Sequence, residues 1–369
     1  MEAPLIVLEA LKGADRALAS ARVLVGLDGF VDTILHVVKT RQSTTAYTRL
    51  DLTREFAERI AAAAGHSGNF ELVTQMVKLG GNGPIMANAL AAYGTQLTYI
   101  GNLGLPLIHP VFQELATRAT VHSIAEPGYT DAIEFNDAKL MLGKHESLKD
   151  VNWEHLTRLL PEEELVRIFS RCHLIALVNW TMLTQMGDIL DQLLERVAPK
   201  LTGEPRWLFF DLADPAKRSR EDLAGVLRQV SAFQRYFRVM LGLNLAEARQ
   251  VCEVLQFPLP DETHDAVTLT ATQLRESLQI DTVVIHPTHF AAAADRDGTA
   301  CLAGPFTAKP KLTTGAGDHF NAGFCLGRLL GLTLEGSVQL GVATSGFYVR
   351  NAHSPALTDM RAFLATLPE

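Results

Sequence analysis

Leu312-Thr313-Thr314-Gly315-Ala316-Gly317-Asp318-His319-Phe320-Asn321-Ala322-Gly323-Phe324 is the most telling stretch of this 369-residue chain. The small residues Gly315, Ala316 and Gly317 let the backbone turn sharply, so that successive N–H groups can converge on an anion. A helix is predicted to start directly after them, over 318–330, and its N-terminal dipole would point at the same place. Asp318 stands at the junction. A carboxylate there repels a phosphate, but it is well placed to take a proton from a hydroxyl that attacks phosphorus. The plainer alternative is a Gly-rich turn in which Asp caps the helix.

Outward from this stretch, short apolar runs alternate with helical patterns. Strands are predicted over 23–26, 97–100, 174–178, 207–210, 239–241 and 282–285, and further helices over 188–198, 220–236 and 245–256. Continuous apolar strands separated by helices indicate an α/β fold, with a central, mostly parallel sheet covered by helices on both faces. Two segments break the alternation. Residues 33–78 contain a strong helical stretch over 51–64, and residues 121–144 read as a strand pair around Pro127-Gly128.

The composition is that of an ordinary globular protein, 47% hydrophobic and 20% charged. A net charge of −8 argues against nucleic acid or an anionic membrane as the main partner. No apolar run reaches membrane-spanning length, and the N-terminal residues, which lack a basic leader region, read as an amphipathic helix. Cys172, Cys252, Cys301 and Cys325 are far apart and form no CxxC pair, so they read as free thiols in a reducing, cytoplasmic setting. His286 and His289 lack a neighbouring Cys or carboxylate in sequence and make a poor metal site.

The string TTGAGDxFxAGF resembles the second signature of the ribokinase-like (PfkB) carbohydrate kinases. The resemblance implies one ribokinase-like kinase domain over 1–369. Two insertions, at about 33–78 and 121–144, would build a small lid over the sugar. It also implies that Gly315, Ala316 and Gly317 form an anion hole, that Asp318 is the general base, and that Thr314 lies at the nucleotide. The first predicted strand ends in Gly26-Leu27-Asp28-Gly29-Phe30-Val31-Asp32. Carboxylates there suit hydroxyl recognition; Asp32 best matches the family's acceptor-binding Asp, and Asp28 is a second candidate or a turn cap. Gly80-Gly81-Asn82-Gly83-Pro84-Ile85-Met86-Ala87-Asn88 resembles the family's first signature at its ends. Its interior has Ile85 where bacterial sugar kinases usually carry Asn, and it is closer to the related ADP-dependent sugar kinases. Gly80, Gly81 and Asn82 are therefore further acceptor-side candidates, and Asn179, which ends the strand over 174–178, is placed to touch either substrate.

On the donor side, Asn244 and Glu247 have the spacing of a helix cap. They also match the family's Asn-x-x-Glu motif, which would order Mg2+ and phosphates, Glu247 acting through water. Asp211 ends a strand nearby and can approach the metal or phosphate, whereas Asp214 before Pro215 reads as a turn former. Segments 305–311 and 343–354 would wall the base pocket. Leu312 stands where many relatives have an Asp that helps hold a stimulating monovalent cation, so a normal potassium site is not expected. The implied activity is Mg2+-dependent phosphoryl transfer from ATP to a sugar hydroxyl. ADP as donor, a nucleoside as acceptor, and a catalytically silent sugar-binding protein are the alternatives, and a homodimer is compatible with each.

Overall fold

Alternate residues of a strand point to opposite faces, and the computed structural model, which describes residues 3–367, accordingly holds two large apolar cores. Leu24, Ile175, Leu177, Leu208, Phe210 and Leu241 enter one of them. Their neighbours Val23, Val25, Ala176, Phe209 and Met240 enter the other. Both cores are closed by helices. Arg220–Phe233, Leu245–Leu255 and His264–Leu278 cover the first face. Asn82–Ala92, Ala316–Leu329 and Leu334–Asn351 cover the second, joined by the N-terminal helices Ala3–Lys12 and Asp15–Ser20.

The sheet between them has nine strands. Their spatial order is Thr299–Ala303, Phe290–Ala294, Thr282–Ile285, Arg238–Leu243, Trp207–Asp211, Leu174–Val178, Arg22–Leu27, Gln96–Gly101 and Ala119–Ser123. All pairs from Thr282–Ile285 onward are parallel, while Phe290–Ala294 and Thr299–Ala303 form an antiparallel edge. Among the described residues, no helix is long and apolar enough to cross a membrane.

A second sheet of five strands rises beside the carboxyl ends of the first. It consists of Phe30–Arg41, Tyr47–Arg49, Leu72–Gly80, Gly128–Glu134 and Lys139–Lys144. Helix Thr53–Ala62 packs Phe56 against Leu35, Val37, Leu50, Ile133 and Phe135, giving this sheet a small core of its own. The first excursion thus pairs from Phe30 to Gly80. The pairing expected within 121–144 is corrected. Ala119–Ser123 stays in the central sheet, and Gly128–Glu134 pairs instead with Lys139–Lys144. The hairpin closes where the Phe135 N–H donates to the Ala138 carbonyl (2.9 Å) across Asn136-Asp137, a favoured turn pair. The helix expected over 188–198 is Met186–Gln192 followed by a wider π-type turn, Leu193–Val197.

Candidate active site

The parallel strands end on a row of polar residues: Asp28, Asn179, Asp211, Asn244 and His286. Ligands of open α/β sheets sit in the crevice outside these ends. Asp28 and Asn179 are the most deeply placed. Asp28 Oδ1 accepts the Gly83 N–H (2.8 Å), its Oδ2 accepts Asn179 Nδ2 (2.7 Å), and its carbonyl accepts the Tyr99 hydroxyl. Asp28 is fully buried and Asn179 nearly so. Each Asp28 oxygen thus holds one bond, which fastens the first strand to the helix Asn82–Ala92 and to Leu174–Val178.

Asp318 lies in the first turn of Ala316–Leu329, buried, with Asn82 Nδ2 donating to its Oδ1 (2.9 Å). That contact joins the two glycine-containing turns across the cleft. Burial, followed by the charge of Asp211, holds the Asp318 carboxyl well above the usual carboxylate range. A carboxylate with raised proton affinity is the better base. The preceding turn is left-handed at Gly315 (φ +94°), and a Cβ there would sit 3.1 Å from the Tyr348 hydroxyl and 3.2 Å from Ile85 Cγ2, so a side chain would strain both backbone and neighbours. The Ala316 N–H is spent on the Thr313 carbonyl (3.0 Å), leaving Gly317 among the first-turn donors without an intrahelical acceptor. Thr314 is exposed, and its carbonyl accepts the Tyr348 hydroxyl (2.8 Å).

Asp32 is placed by the second sheet. In register with it stand Lys78 on one neighbouring strand and Thr130 on the other. Burial raises its pKa, opposed by the Lys78 charge and by a hydrogen bond from Thr130. The carboxylate lies over Gly80, where a Cβ would come within 2.5 Å of it. Gly80 is therefore the floor on which Asp32 rests, and Gly81 (φ +94°) turns the chain into the helix carrying Asn82.

The Asn244 and Glu247 cap is fully formed: the Glu247 N–H donates to Asn244 Oδ1 (2.9 Å) and the Asn244 N–H to Glu247 Oε2 (2.8 Å). The cap does not explain why Glu247 is buried beside other acids. Burial first, and then the charges of Asp211, Asp214 and Asp318, push its carboxyl well above the usual range. Asp211, raised to about 6 by burial, is held by the Ala213 N–H (2.7 Å) and by Asn321 Nδ2 (2.7 Å). Acids converge here with no basic side chain among the causes of either shift, and this charge imbalance fits a divalent cation. No group of three or more His, Cys, Asp or Glu forms a metal cage among the described residues.

Next to the Gly turn lies a cavity of ≈ 460 Å³, lined among others by Asn244, His286, Phe306, Thr313, Ala316 and Gly317. Residues of segments 305–311 and 343–354 contribute to its walls. Arg350 fixes the first of these by donating to the Pro305 (2.6 Å) and Phe306 (2.7 Å) carbonyls. The His286 ring packs against Phe320, centroids 4.7 Å apart and planes tilted by 34°, and burial lowers its pKa to about 4, so it is neutral.

Sequence reasoning missed Asn321, Lys78, Thr130 and the contacts of His319. Asn321 follows Asp318 at a helical step of three and so shares its face; that spacing was the available signal. Lys78 and Thr130 become visible only through sheet register.

The family model for prokaryotic ketohexokinase matches residues 6–367. A ketohexokinase of Haloferax volcanii is 31% identical over 344 residues, covering 93% of this chain and 90% of that protein. Among solved structures, Arabidopsis thaliana ribokinase complexed with ribose and ATP superposes with a TM-score of 0.65 at 15% identity, over 94% of this chain and 99% of that one. Phosphofructokinase-2 of Escherichia coli, in complex with substrates and products, gives 0.63 at 16% identity, over 94% and 99%. At these identities the two structures speak for the fold alone.

Proposed function

The chain belongs to the prokaryotic ketohexokinase family of ribokinase-like (PfkB) carbohydrate kinases, and from that premise we propose that it transfers the γ-phosphoryl of ATP to a hydroxyl of a ketohexose, with Asp318 as general base. The observation that carries the base assignment is Asp318 itself: buried, raised in proton affinity, oriented by Asn82 and next to the Gly315 turn. The acceptor hydroxyl gives its proton to the Asp318 carboxylate while its oxygen attacks the γ-phosphorus. The bond to the β–γ bridging oxygen breaks and ADP leaves.

Asp32 and Thr130 hold acceptor hydroxyls, with Gly80, Gly81 and Asn82 forming the floor. Asn244, His286 and the Phe306 wall receive the nucleotide. Glu247 and Asp211 would hold Mg2+ through water, and the ion would neutralise phosphate charge during transfer. The chain is read as one kinase domain with a lid formed by the five-stranded sheet. Leu72, Met76, Val77, Met141 and Leu142 of that sheet are exposed, which supports a homodimer, and the free cysteines accord with a cytoplasmic setting.

The test is a coupled assay across ketohexoses, aldoses and nucleosides, each with ATP and with ADP. Turnover of a ketohexose with ATP is expected. Preferred turnover of a nucleoside would overturn the acceptor, and ligand binding with no turnover would favour a silent binder. Asp318→Asn should lower kcat by roughly 10²–10⁴-fold while Mg·ATP binding persists.

A further inference from the structure

We propose that His319, acting with Tyr348 and Ser354, is a positioning residue for phosphoryl transfer: it clamps the Gly315 turn to the C-terminal segment and so keeps the turn in the shape that aims its uncommitted N–H groups, those of Gly315 and Gly317, at the transferred group. The inference rests on the reading of the Gly315 turn as the phosphoryl cradle.

His319 follows Asp318 but points elsewhere. Its Nδ1 lies 2.7 Å from the Gly315 carbonyl and its Nε2 lies 2.9 Å from Ser354 Oγ. The ring is stacked on Tyr348, centroids 3.6 Å apart and planes 14° apart. Tyr348 in turn donates its hydroxyl to the Thr314 carbonyl (2.8 Å). Two stacked rings therefore hold the two consecutive carbonyls that lead into the cradle. A peptide unit is planar and trans, so fixing a C=O fixes the following N–H, which points the opposite way. Tyr348 sets the Gly315 N–H in this manner, and His319 sets the peptide joining Gly315 to Ala316.

The restraint answers a need. Glycine is conformationally permissive, and beyond the helical bond its carbonyl accepts from the His319 backbone N–H (3.0 Å), the left-handed Gly315 gains from the ring a second restraint tied to the C-terminal segment. The His319 ring is 2% exposed with both nitrogens partnered. Because the Gly315 oxygen can only accept, Nδ1 carries the hydrogen, and in the neutral ring Nε2 accepts from the Ser354 hydroxyl. Burial lowers the pKa of His319 to about 4, which keeps it neutral. Its contribution is orientation, because its nitrogens are committed within the protein.

Steady-state kinetics on the full chain test this with His319→Ala, His319→Asn and Tyr348→Phe. His319→Ala should lower kcat about tenfold to a hundredfold, with both KM values within about threefold, because only alignment in the transition state is lost. Asn keeps an amide N–H near the place of Nδ1, so His319→Asn should recover part of kcat. Tyr348→Phe deletes one hydroxyl without opening a cavity and should lower kcat with the same KM pattern. Unchanged kcat in His319→Ala would overturn the proposal. If that variant does not fold, unchanged kcat in Tyr348→Phe overturns it instead. Asp318→Asn separates the layers: inactive Asp318→Asn beside fully active clamp variants sinks the clamp alone. Normal turnover in Asp318→Asn removes the cradle reading and the clamp with it.

Discussion

Asp32 keeps its carboxylate toward Thr130 and Lys78 at the foot of the five-stranded sheet, so its removal should be felt by the acceptor. Asp32→Ala should raise the acceptor KM about tenfold to a hundredfold, in line with about 1.5–3 kcal/mol for hydrogen bonds to a charged group. The KM for Mg·ATP should stay within about twofold. An unchanged acceptor KM would move the sugar elsewhere in the cleft. Asp318 makes a different forecast, in pH. It works as a base only when deprotonated, and burial holds its pKa above the ordinary carboxylate range. Acceptor kcat/KM, which reports free-enzyme groups, should therefore fall on acidification at a higher pH than a solvent-exposed Asp would dictate. The same acidic limb should persist in Asp32→Ala; its disappearance there would assign the limb to Asp32.

Glu247 is both a cap and an acid among acids, and an element-level experiment separates the two roles. Glu247→Gln retains an oxygen to accept the Asn244 N–H, so the helix Leu245–Leu255 should survive. The Mg2+ concentration needed for half-maximal rate should rise, while acceptor KM holds. An unmoved Mg2+ requirement would leave Glu247 as a cap only. The segment before the Gly turn carries a second forecast. Lys311 and Leu312 donate their N–H groups to the Val349 carbonyl at 2.8 and 3.4 Å, and Leu312 offers no side-chain oxygen. Exchanging potassium for sodium at constant ionic strength should change the rate little. Strict dependence on potassium would show that other groups bind it. These elements also mark what the sequence could disclose. Buried strands such as Leu174–Val178 and Thr282–Ile285 were readable end to end, because burial on both faces leaves an unbroken apolar run. Asp318 and its turn were readable from local spacing. The partner of Gly128–Glu134 was not, because a Pro-Gly pair and an Asn-Asp pair both look like turns and only sheet register decides between them. Nor could spacing reveal the structural bonds of Asp28, since Gly83 and Asn179 lie far along the chain.

Across the whole molecule, buried acids outnumber the local means of neutralising them. Asp28 and Asp211 are raised to about 6, and Glu247 and Asp318 lie well above their ordinary values, in each case chiefly through burial. Between the unfolded value near 4 and these raised values the folded state binds more protons, so these groups lower stability as pH rises. His286 and His319, lowered to about 4 by burial, act in the opposite sense over the same range, so the acids are read by difference: Mg2+ should raise the melting temperature more near pH 7.5, where they are more ionised, than near pH 5.5. Thermal scans at both values, with and without the ion, check this, and a Mg2+ shift that is no larger at pH 7.5 would refute it. The five-stranded sheet has a consequence of another kind. It has its own small core, and it leaves and rejoins the central body around Phe30, which is in register with both Gly80 and Gly128. The groups read as performing the transfer stand on the other side of that seam, braced by Asp28. If Asp32 and Thr130 hold the acceptor as proposed, a large share of acceptor choice rides on an interchangeable cassette, and a descendant lineage, or an engineer, could rewrite the sheet to court a new sugar while inheriting the phosphoryl-transfer engine.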